Sequence, residues 1–249
     1  IQSAKYDRLV MIDADCQPNG PQWLRIMAQQ LSGDVQLVLG YGPYAMGMSW
    51  LHRLLRFETL YIAIQYFSFA RLGVPYMGVG RNLAYRRTLF AQQNGFYNHQ
   101  HIASGDDDLF VSAAANRQNT AWVMDPRAFT YSVPVESWQA YYYQKTRHLS
   151  TSWSYRPLHR GLLALLSASQ VGHHLFSVIL LLSGTMPWLV CTLYLVRLLV
   201  VIGRIRAWMR HLDSPLSWWQ IPALDIWLSV LHVWLAPSML TDKRVPWKP

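Results

Sequence analysis

The sequence predicts an α/β domain followed by helices that cross a membrane. The chain opens with strand, helix and strand patterns in alternation, which is typical of an open α/β sheet. Residues 162–203 are almost uninterrupted hydrocarbon side chains, and a run of this length suits two membrane spans of roughly 20 residues each. We therefore place residues 1–160 in the α/β domain and residues 161–249 in the membrane region.

The composition indicates a protein that is partly surrounded by lipid. Only 14% of the 249 residues are charged, against roughly 25% in ordinary soluble domains. The formal net charge of +9 suits either nucleic acid or a membrane surface. The Lys and Arg residues gather on both sides of the apolar run, at 147–160 and 204–210, which is the pattern of cytoplasmic membrane flanks. This distribution favours membrane lipids as partners and argues against nucleic acid.

The first elements of the chain are short. Residues 8–12 are apolar and β-rich, and we expect them to form a buried parallel strand. Pro21 suits the first turn of a helix that ends near Leu31, and residues 34–39 are a second candidate strand. This order places the segment that follows residue 12 at the edge of the sheet where ligands usually bind.

That segment contains two carboxylates, Asp13 and Asp15. Residues two apart in an extended chain point the same way, so both side chains can face one ligand. Two neighbouring carboxylates repel unless a cation or a proton lies between them, and Mg²⁺ typically binds one or two protein carboxylates. The pair is a candidate site for Mg²⁺ or Mn²⁺, although a solvated turn at a strand end is the simpler alternative.

The middle of the chain contains a long helix pattern and a glycine-rich segment. Residues 50–72 have a wide apolar stripe at helical spacing, which suits either a core-facing helix or a helix at the membrane surface. Gly78 and Gly80 lack the third glycine of a dinucleotide-binding fingerprint. They favour a sharp bend or a close approach of the backbone to a ligand.

A cluster of three carboxylates precedes an amphipathic run at residues 109–115. Acidic residues are favoured at a helix N-terminus, so capping explains part of the cluster. Asp106, Asp107 and Asp108 exceed what capping needs, however. One of them can act as a general base whose pKa is adjusted by the other two.

A third group lies on the helix that we predict over residues 136–150. Gln144 shares one helix face with Arg147 and His148, which are three and four residues further on. A guanidinium group suits phosphate, and an amide adds a neutral donor. A basic helix before a membrane span is common by itself, so this group gains its meaning from the two before it.

The order of the three groups resembles that of the inverting glycosyltransferases of family 2, which include cellulose, chitin and hyaluronan synthases. Those enzymes contain Asp-x-Asp, then Thr-Glu-Asp or Gly-Asp-Asp, then Gln-x-x-Arg-Trp beside transmembrane helices. The matching segments here are Asp13-Ala14-Asp15, Gly105-Asp106-Asp107 and Gln144-Lys145-Thr146-Arg147. Further segments resemble a bacterial subgroup of the family: GYGPY (40–44), RFETLYIAIQYFSFA (56–70), PYMGVGRNLAYRR (75–87), GDDDLF (105–110) and QKTRHLSTS (144–152).

The resemblance implies a GT-A-type mixed sheet flanked by helices, present here in part. It implies transfer of a sugar from a UDP- or GDP-linked donor to a glycan or lipid acceptor. Asp15, with Asp13, would hold Mg²⁺ or Mn²⁺ and the donor diphosphate, and Asp107 would deprotonate the acceptor hydroxyl. The remaining site residues that it implies, for the diphosphate or the acceptor, are Gln144, Arg147, His148, Asp106, Gly80 and Arg81.

Two departures from the family pattern change these expectations. His148 stands where the family has Trp, which alters the aromatic platform for an acceptor sugar. The family also places nucleotide-binding strands and a further Asp before Asp-x-Asp, whereas this chain starts with Ile1. We therefore expect an N-terminally truncated chain that binds the donor poorly by itself. A non-catalytic membrane scaffold and a metal-dependent phosphotransferase are the alternatives, and the latter would not need the Gln-x-x-Arg helix.

The apolar run divides into spans at about 162–182 and 187–203, with Gly184 in the turn between them. Basic residues flank both ends, which predicts a multi-pass protein of the plasma (inner) membrane with a cytoplasmic catalytic domain. Arg197 is expected to extend to the membrane surface. A third apolar segment, 218–236, contains Asp225 and is followed by a basic tail with Lys243, Arg244 and Lys248. A crossing would put this tail on the far side, so the sequence favours a re-entrant or interfacial segment and leaves a span open.

Overall fold

The computed structural model describes residues 1, 3–97, 102 and 104–240. They form two compact units, Ile1–Arg156 and a second unit that begins at Pro157. The strands are β1 (Arg8–Met11), β2 (Cys16–Pro18), β3 (Leu37–Leu39), β4 (Leu83–Arg86), β5 (Thr120–Trp122) and β6 (Thr130–Ser132). The helices are α1 (Trp23–Gln30), α2 (Trp50–Arg71), α3 (Arg87–Gln92), α4 (Asp108–Ala114), α5 (Trp138–Leu149), α6 (Pro157–Leu182), α7 (Pro187–His211) and α8 (Ile221–Leu240).

The first unit contains a mixed four-stranded sheet in the order β1-β4-β3-β5. Strand β4 is antiparallel to both β1 and β3, whereas β3 and β5 are parallel. Strands β2 and β6 form a small second sheet. The predicted α/β class is confirmed, and the sheet is flanked by helices: Met27 and Leu31 of the α1 region pack with Val38 and Ala84 of the sheet in one buried cluster.

The expectation of a buried parallel strand at residues 8–12 is wrong. Strand β1 lies at the edge of the sheet, is only partly buried, and pairs with β4 in antiparallel orientation. The reason is that β4 is inserted between β1 and β3. Strands β1 and β3 run in the same direction as β5. All three therefore end at the edge of the sheet where β4 begins. Residues that follow β1 and residues that precede β4 therefore meet there.

Helix α2 is a core helix, which decides between the two interpretations of its apolar stripe. It begins after Ser49, whose side chain accepts a hydrogen bond from the His52 amide at 3.1 Å, a typical N-cap. Leu55, Leu60 and Tyr66 of this helix are at most 1% exposed. Burial of a leucine side chain stabilises a fold by roughly 1.5–3 kcal/mol, so this stripe anchors α2 against the domain.

The second unit consists of α6, α7 and α8. Three helical segments, Pro157–Leu182, Pro187–His211 and Trp218–Ser238, are long and apolar enough to cross a membrane. The two predicted spans lie within α6 and α7, and Gly184, with φ of 70°, lies in the turn between them. Helix α8 continues past Pro237 to Leu240. Residues 243–248, on which the argument about the orientation of this segment depends, lie outside the described residues.

A polar cluster joins the three helices of this unit. Asp225 of α8 is 3% exposed and forms an ion pair with Arg197 of α7. Gln170 of α6 donates a hydrogen bond to Asp225 Oδ1 at 2.9 Å and accepts one from Arg197 at 2.9 Å. Arg197 therefore does not extend to the surface as expected, because its guanidinium is held by a carboxylate and an amide from neighbouring helices.

Candidate functional site

The Asp-x-Asp segment lies directly after β1, at the edge described above. Oxygen atoms of Asp13 and Asp15 and the sulfur atom of Cys16 all lie within 4.8 Å of one another, so they can contact one metal ion. Both aspartates are exposed, and Cys16 is half-buried. Cys16 was not among the predicted site residues, although its position next to Asp15 was a signal that it would lie here.

The charges at this position favour a hard divalent cation. Burial and the charge of Asp15 raise the pKa of Asp13 above its ordinary value. Burial and the same carboxylate raise the pKa of the Cys16 thiol to about 11, and a thiol is a softer ligand than Mg²⁺ and Mn²⁺ prefer. The two carboxylates are the hard oxygen ligands that Mg²⁺ and Mn²⁺ prefer. The residues present therefore fit the expected ion, with Asp13 and Asp15 as its ligands.

Gly80 brings the second carboxylate group to the first. Its N–H donates a hydrogen bond to Asp107 Oδ2 at 2.5 Å. A Cβ atom at this position would lie 3.1 Å from Asp107 Oδ2 and 3.4 Å from Asp13 Oδ1. Asp13 and Asp107 thus both lie close to Gly80, and the close approach predicted for this glycine is an approach to the site carboxylates.

Asp107 and Asp108 begin helix α4 and are held differently. Asp107 Oδ1 accepts a hydrogen bond from the Asp108 N–H at 2.8 Å. Asp108 Oδ2 accepts hydrogen bonds from the hydroxyl groups of Tyr155 and Thr151, the latter at 3.2 Å. Asp108 Oδ1 is buried and has no hydrogen-bond partner among the described residues. Asp106, by contrast, is exposed.

These surroundings make Asp107 a stronger base than an ordinary carboxylate. Burial, followed by the negative charge of Asp108, raises the pKa of Asp107 to about 7. Burial also raises the pKa of Asp108, against the hydrogen bonds from Tyr155 and Thr151. A carboxyl group with a pKa near neutrality can accept a proton efficiently at physiological pH, which is the property that a general base needs.

Arg81 follows Gly80 and is fixed by two contacts. Its guanidinium lies 4.6 Å from the centre of the Tyr44 ring, and it donates a hydrogen bond to Ser132 Oγ at 2.9 Å. The positive charges of Arg81 and Arg147 lower the pKa of Asp13, whereas Asp106 raises it. Two cations, Arg81 and Arg147, and two carboxylates, Asp15 and Asp106, therefore act on Asp13, in a region where a negatively charged ligand and a metal ion can both be bound.

Helix α5 carries the third predicted group. Gln144 accepts a hydrogen bond from the Tyr44 hydroxyl at 3.3 Å, so Tyr44 connects it with Arg81. Arg147 lies 3.5 Å from His148 through Nη2 and Nε2. Surrounding protein atoms and the charges of Lys145 and Arg147 lower the pKa of His148, so its imidazole is neutral at pH 7.

A buried ion pair sets the orientation of α5. Lys145 Nζ lies 2.8 Å from Glu58 Oε1 of α2, and the Tyr141 hydroxyl donates to Glu58 Oε2 at 3.0 Å. Because Lys145 and Tyr141 face α2, the rotation of α5 about its own axis is fixed. This rotation sets the directions in which Gln144 and Arg147 project. The sequence did not show this pair, since Glu58 and Lys145 are far apart in the chain.

The predicted residues thus fall into two groups, those that contact one another directly and those that act on them from further away. Asp13, Gly80 and Asp107 meet directly, with Asp15 beside Asp13. Arg81, Arg147 and Asp106 act on this centre through their charges. Gln144 is connected to Arg81 through Tyr44, and the neutral His148 lies beside Arg147. Tyr44, Ser132, Thr151 and Tyr155 were not predicted, because hydroxyl side chains far from the motifs carry no spacing that would identify them.

Comparisons with solved structures give similarities, one of which is described here. No protein-family profile matches the chain, and no curated protein matches it. A solved structure of a mannosyltransferase from Pyrobaculum calidifontis, in complex with GDP-mannose and Mn²⁺, is similar with a TM-score of 0.47 and 14% identity. The similarity covers 94% of this chain and 64% of that one, so this chain spans less than two thirds of its length. A similarity at this level assigns no activity.

Proposed function

We propose that this chain is the catalytic and membrane part of an inverting glycosyltransferase of family 2 with a GT-A-type domain. The observation that carries the proposal is the arrangement around Gly80. Asp13 of the candidate metal-binding pair and Asp107, a carboxylate with a raised pKa, both approach the Cβ position of this glycine. Together with the motif order in the sequence, this arrangement supports sugar transfer better than a scaffold role, for which such carboxylates have no use.

In the proposed reaction each residue has one task. Asp13 and Asp15 hold Mg²⁺ or Mn²⁺, which neutralises negative charge on the diphosphate of a UDP- or GDP-linked sugar. Arg147 and Arg81 add positive charge where the leaving diphosphate develops its own. Asp107 accepts the proton of the acceptor hydroxyl as that oxygen bonds to the anomeric carbon. The bond from this carbon to the diphosphate oxygen breaks in the same displacement, so the configuration is inverted.

The proposed setting is the cytoplasmic face of a bacterial inner membrane. The three apolar helices are compatible with a multi-pass protein, and basic residues on both sides of α6 and α7 favour a cytoplasmic catalytic unit. The acceptor is then a glycan or a lipid that reaches the membrane surface. His148, in place of the family's Trp, gives this acceptor a neutral imidazole instead of a large aromatic surface.

Nucleotide release by membranes that contain the full-length protein tests the proposal. A panel of UDP- and GDP-linked sugars is incubated with and without Mn²⁺ and with acceptor lipid extract. We expect metal-dependent release from one donor. No release from any donor, with the protein folded and acceptor present, would favour the non-catalytic scaffold instead.

The metal-binding pair has its own test. Asp15→Ala removes one of the two ligands, and we expect Mn²⁺-dependent donor binding to weaken at least about tenfold because one charge-assisted contact is lost. Isothermal titration of the donor at several Mn²⁺ concentrations measures the effect. The matched control is Asp34→Ala, since Asp34 is an exposed aspartate outside the site. Unchanged binding in Asp15→Ala would remove Asp15 from the metal site.

A further inference from the structure

The first turns of α2 carry three basic side chains outside the proposed catalytic group. Arg53 and Arg56 are three residues apart, and His52 and Arg56 are four apart, so the three share one helix face. They follow the N-cap Ser49. The free amides of a helix's first turn attract negative charge, and here basic side chains strengthen that attraction.

The nitrogen atoms of this group are poorly satisfied. Within the part of the chain that the structure describes, Arg56 Nε and Nη1 are buried without a hydrogen-bond partner, and so are both ring nitrogens of His52. Among the residues that the structure describes, neither Arg53 nor Arg56 forms an ion pair or a hydrogen bond through its side chain. Gly47 lies against the His52 imidazole, where it has no space for a Cβ atom.

Burial of these nitrogen atoms without hydrogen-bond partners destabilises the protein when no ligand is bound. Native proteins satisfy most buried polar atoms, and an exception indicates an ion or water that binds there. Burial and the charge of Arg53 lower the pKa of Arg56. The nearest acid on the helix, Glu58, points to Lys145 and Tyr141, so it does not neutralise the group. The positive charge of Arg53 and Arg56 is therefore uncompensated.

We propose that His52, Arg53 and Arg56 form a second anion site, which binds a phosphate monoester or inorganic phosphate. The planar guanidinium groups match phosphate oxygens in a bidentate manner, and both imidazole nitrogens of His52 lack a hydrogen-bond partner among the described residues. This site goes beyond the proposed reaction, whose diphosphate is assigned to Asp13, Asp15, Arg81 and Arg147. The phosphate can come from a lipid headgroup or from a soluble molecule.

Phosphate titration of the full-length protein tests the site. The protein is placed in nanodiscs of neutral phosphatidylcholine with EDTA, and inorganic phosphate is added in a calorimeter. We expect the double variant Arg53→Gln/Arg56→Gln to lose at least about tenfold in phosphate affinity, since two charged contacts are removed. The matched control Arg71→Gln, an exposed arginine at the other end of the same helix, should bind as the wild type does. Equal affinity in the double variant and the wild type would overturn the proposal.

Thermal unfolding without phosphate separates binding from a structural role. Because Arg56 has no internal partner, Arg56→Gln should unfold at the same temperature as the wild type or higher, and phosphate should raise the unfolding temperature of the wild type only. A lower unfolding temperature of Arg56→Gln in phosphate-free buffer would show an internal partner and contradict the site. Nanodiscs with phosphatidic acid identify the source of the phosphate. If the lipid headgroup occupies the site, added inorganic phosphate binds more weakly in these nanodiscs than in phosphatidylcholine. Unchanged binding assigns the site to soluble phosphate.

Discussion

Asp107 in the first unit and Asp225 in the second are both shielded carboxylates, but their surroundings are opposite. Asp225 is paired with Arg197, lies 3.3 Å from His174 Nε2 and accepts a hydrogen bond from Gln170. Asp107 contacts no cation among the residues that the structure describes; it accepts two backbone N–H bonds and lies beside a second carboxylate, Asp108.

The difference shows that the neighbours of a carboxylate decide whether it stabilises the fold or accepts a proton. A carboxylate that is paired with a cation ties three helices together, and removing its partner leaves an uncompensated charge. An unpaired one that lies next to a like charge takes up a proton readily, which is a cost to the fold and an advantage for chemistry. We therefore expect substitutions at Asp107 to change the reaction, and substitutions at Asp225 to change stability.

The largest expected effect is on transfer by Asp107→Asn. An amide cannot accept the hydroxyl proton, and loss of a general base typically costs a factor of about 10²–10⁴ in rate. The variant should unfold near the wild-type temperature, because removal of a repelled charge offsets the loss of one of the two backbone hydrogen bonds that Asp107 accepts. Sugar transfer and thermal unfolding are measured together, with Asp34→Asn as the exposed control. Transfer near the wild-type rate would end the assignment of Asp107 as the base.

The opposite outcome is expected for Asp225→Asn. It leaves Arg197 without its carboxylate, and breaking a buried ion pair costs about 3–5 kcal/mol. Thermal unfolding in nanodiscs should show the loss, whereas exposed Asp213→Asn should show almost none. The double variant Asp225→Asn/Arg197→Gln should be more stable than Asp225→Asn alone. If the double variant is the less stable, Arg197 and Asp225 do not act as a pair.

A pH profile sharpens the comparison further. Asp107 acts only when deprotonated, so kcat/KM should rise with pH through its pKa of about 7 and then level off. Asp108→Asn removes the negative charge that disfavours ionised Asp107, so the rise should move to lower pH. The raised pKa also means that the folded protein holds this proton longer than the unfolded chain. Its contribution to the free energy of unfolding therefore falls as pH rises from the ordinary carboxyl range towards 7. An unshifted profile in Asp108→Asn would show that the two carboxylates are independent.

The smallest effect is expected for Gly80→Ala. The new methyl group would meet Asp107 Oδ2 at 3.1 Å and Asp13 Oδ1 at 3.4 Å, and the carboxylates would have to shift by a few tenths of an ångström. Small displacements of reacting groups reduce rates, and we expect a loss of about tenfold. Gly20→Ala is the matched control, because nothing lies within 4 Å of its Cβ position. A rate equal to the wild type would show that the spacing of the two carboxylates is not critical.

Local patterns in the sequence predicted the elements well and their arrangement less well. The helical stripe over residues 50–72 and the apolar run after residue 160 correspond to α2, α6 and α7, because periodicity and hydrocarbon content are local properties. Strand β1 pairs with β4 in antiparallel orientation, and β4 is more than seventy residues away in the sequence. No local pattern around β1 could predict this pairing. The same holds for the pairing of Arg197 with Asp225.

In the candidate site, too, residues in local motifs could be predicted and long-range partners could not. Asp13, Asp15, Asp107, Gln144 and Arg147 could be selected because their spacing follows motifs. Tyr44 and Tyr155 could not, since a tyrosine hydroxyl at a site looks the same in a sequence as one on a surface. Cys16 was adjacent to a predicted ligand, yet the rise in its thiol pKa follows from burial, which only the folded chain shows.

Asn82 ties the edge of the sheet to three distant segments. It is fully buried, donates to the carbonyl oxygens of Tyr41 and Ala128 at 2.9 and 2.7 Å, and accepts from Trp23 Nε1 at 3.0 Å. These partners are separated by up to about a hundred residues, and contacts of such long range form late in folding. During synthesis the edge therefore stays incomplete until the segment around Ala128 has left the ribosome. The metal-binding pair and the base should then be placed together in one late, cooperative step.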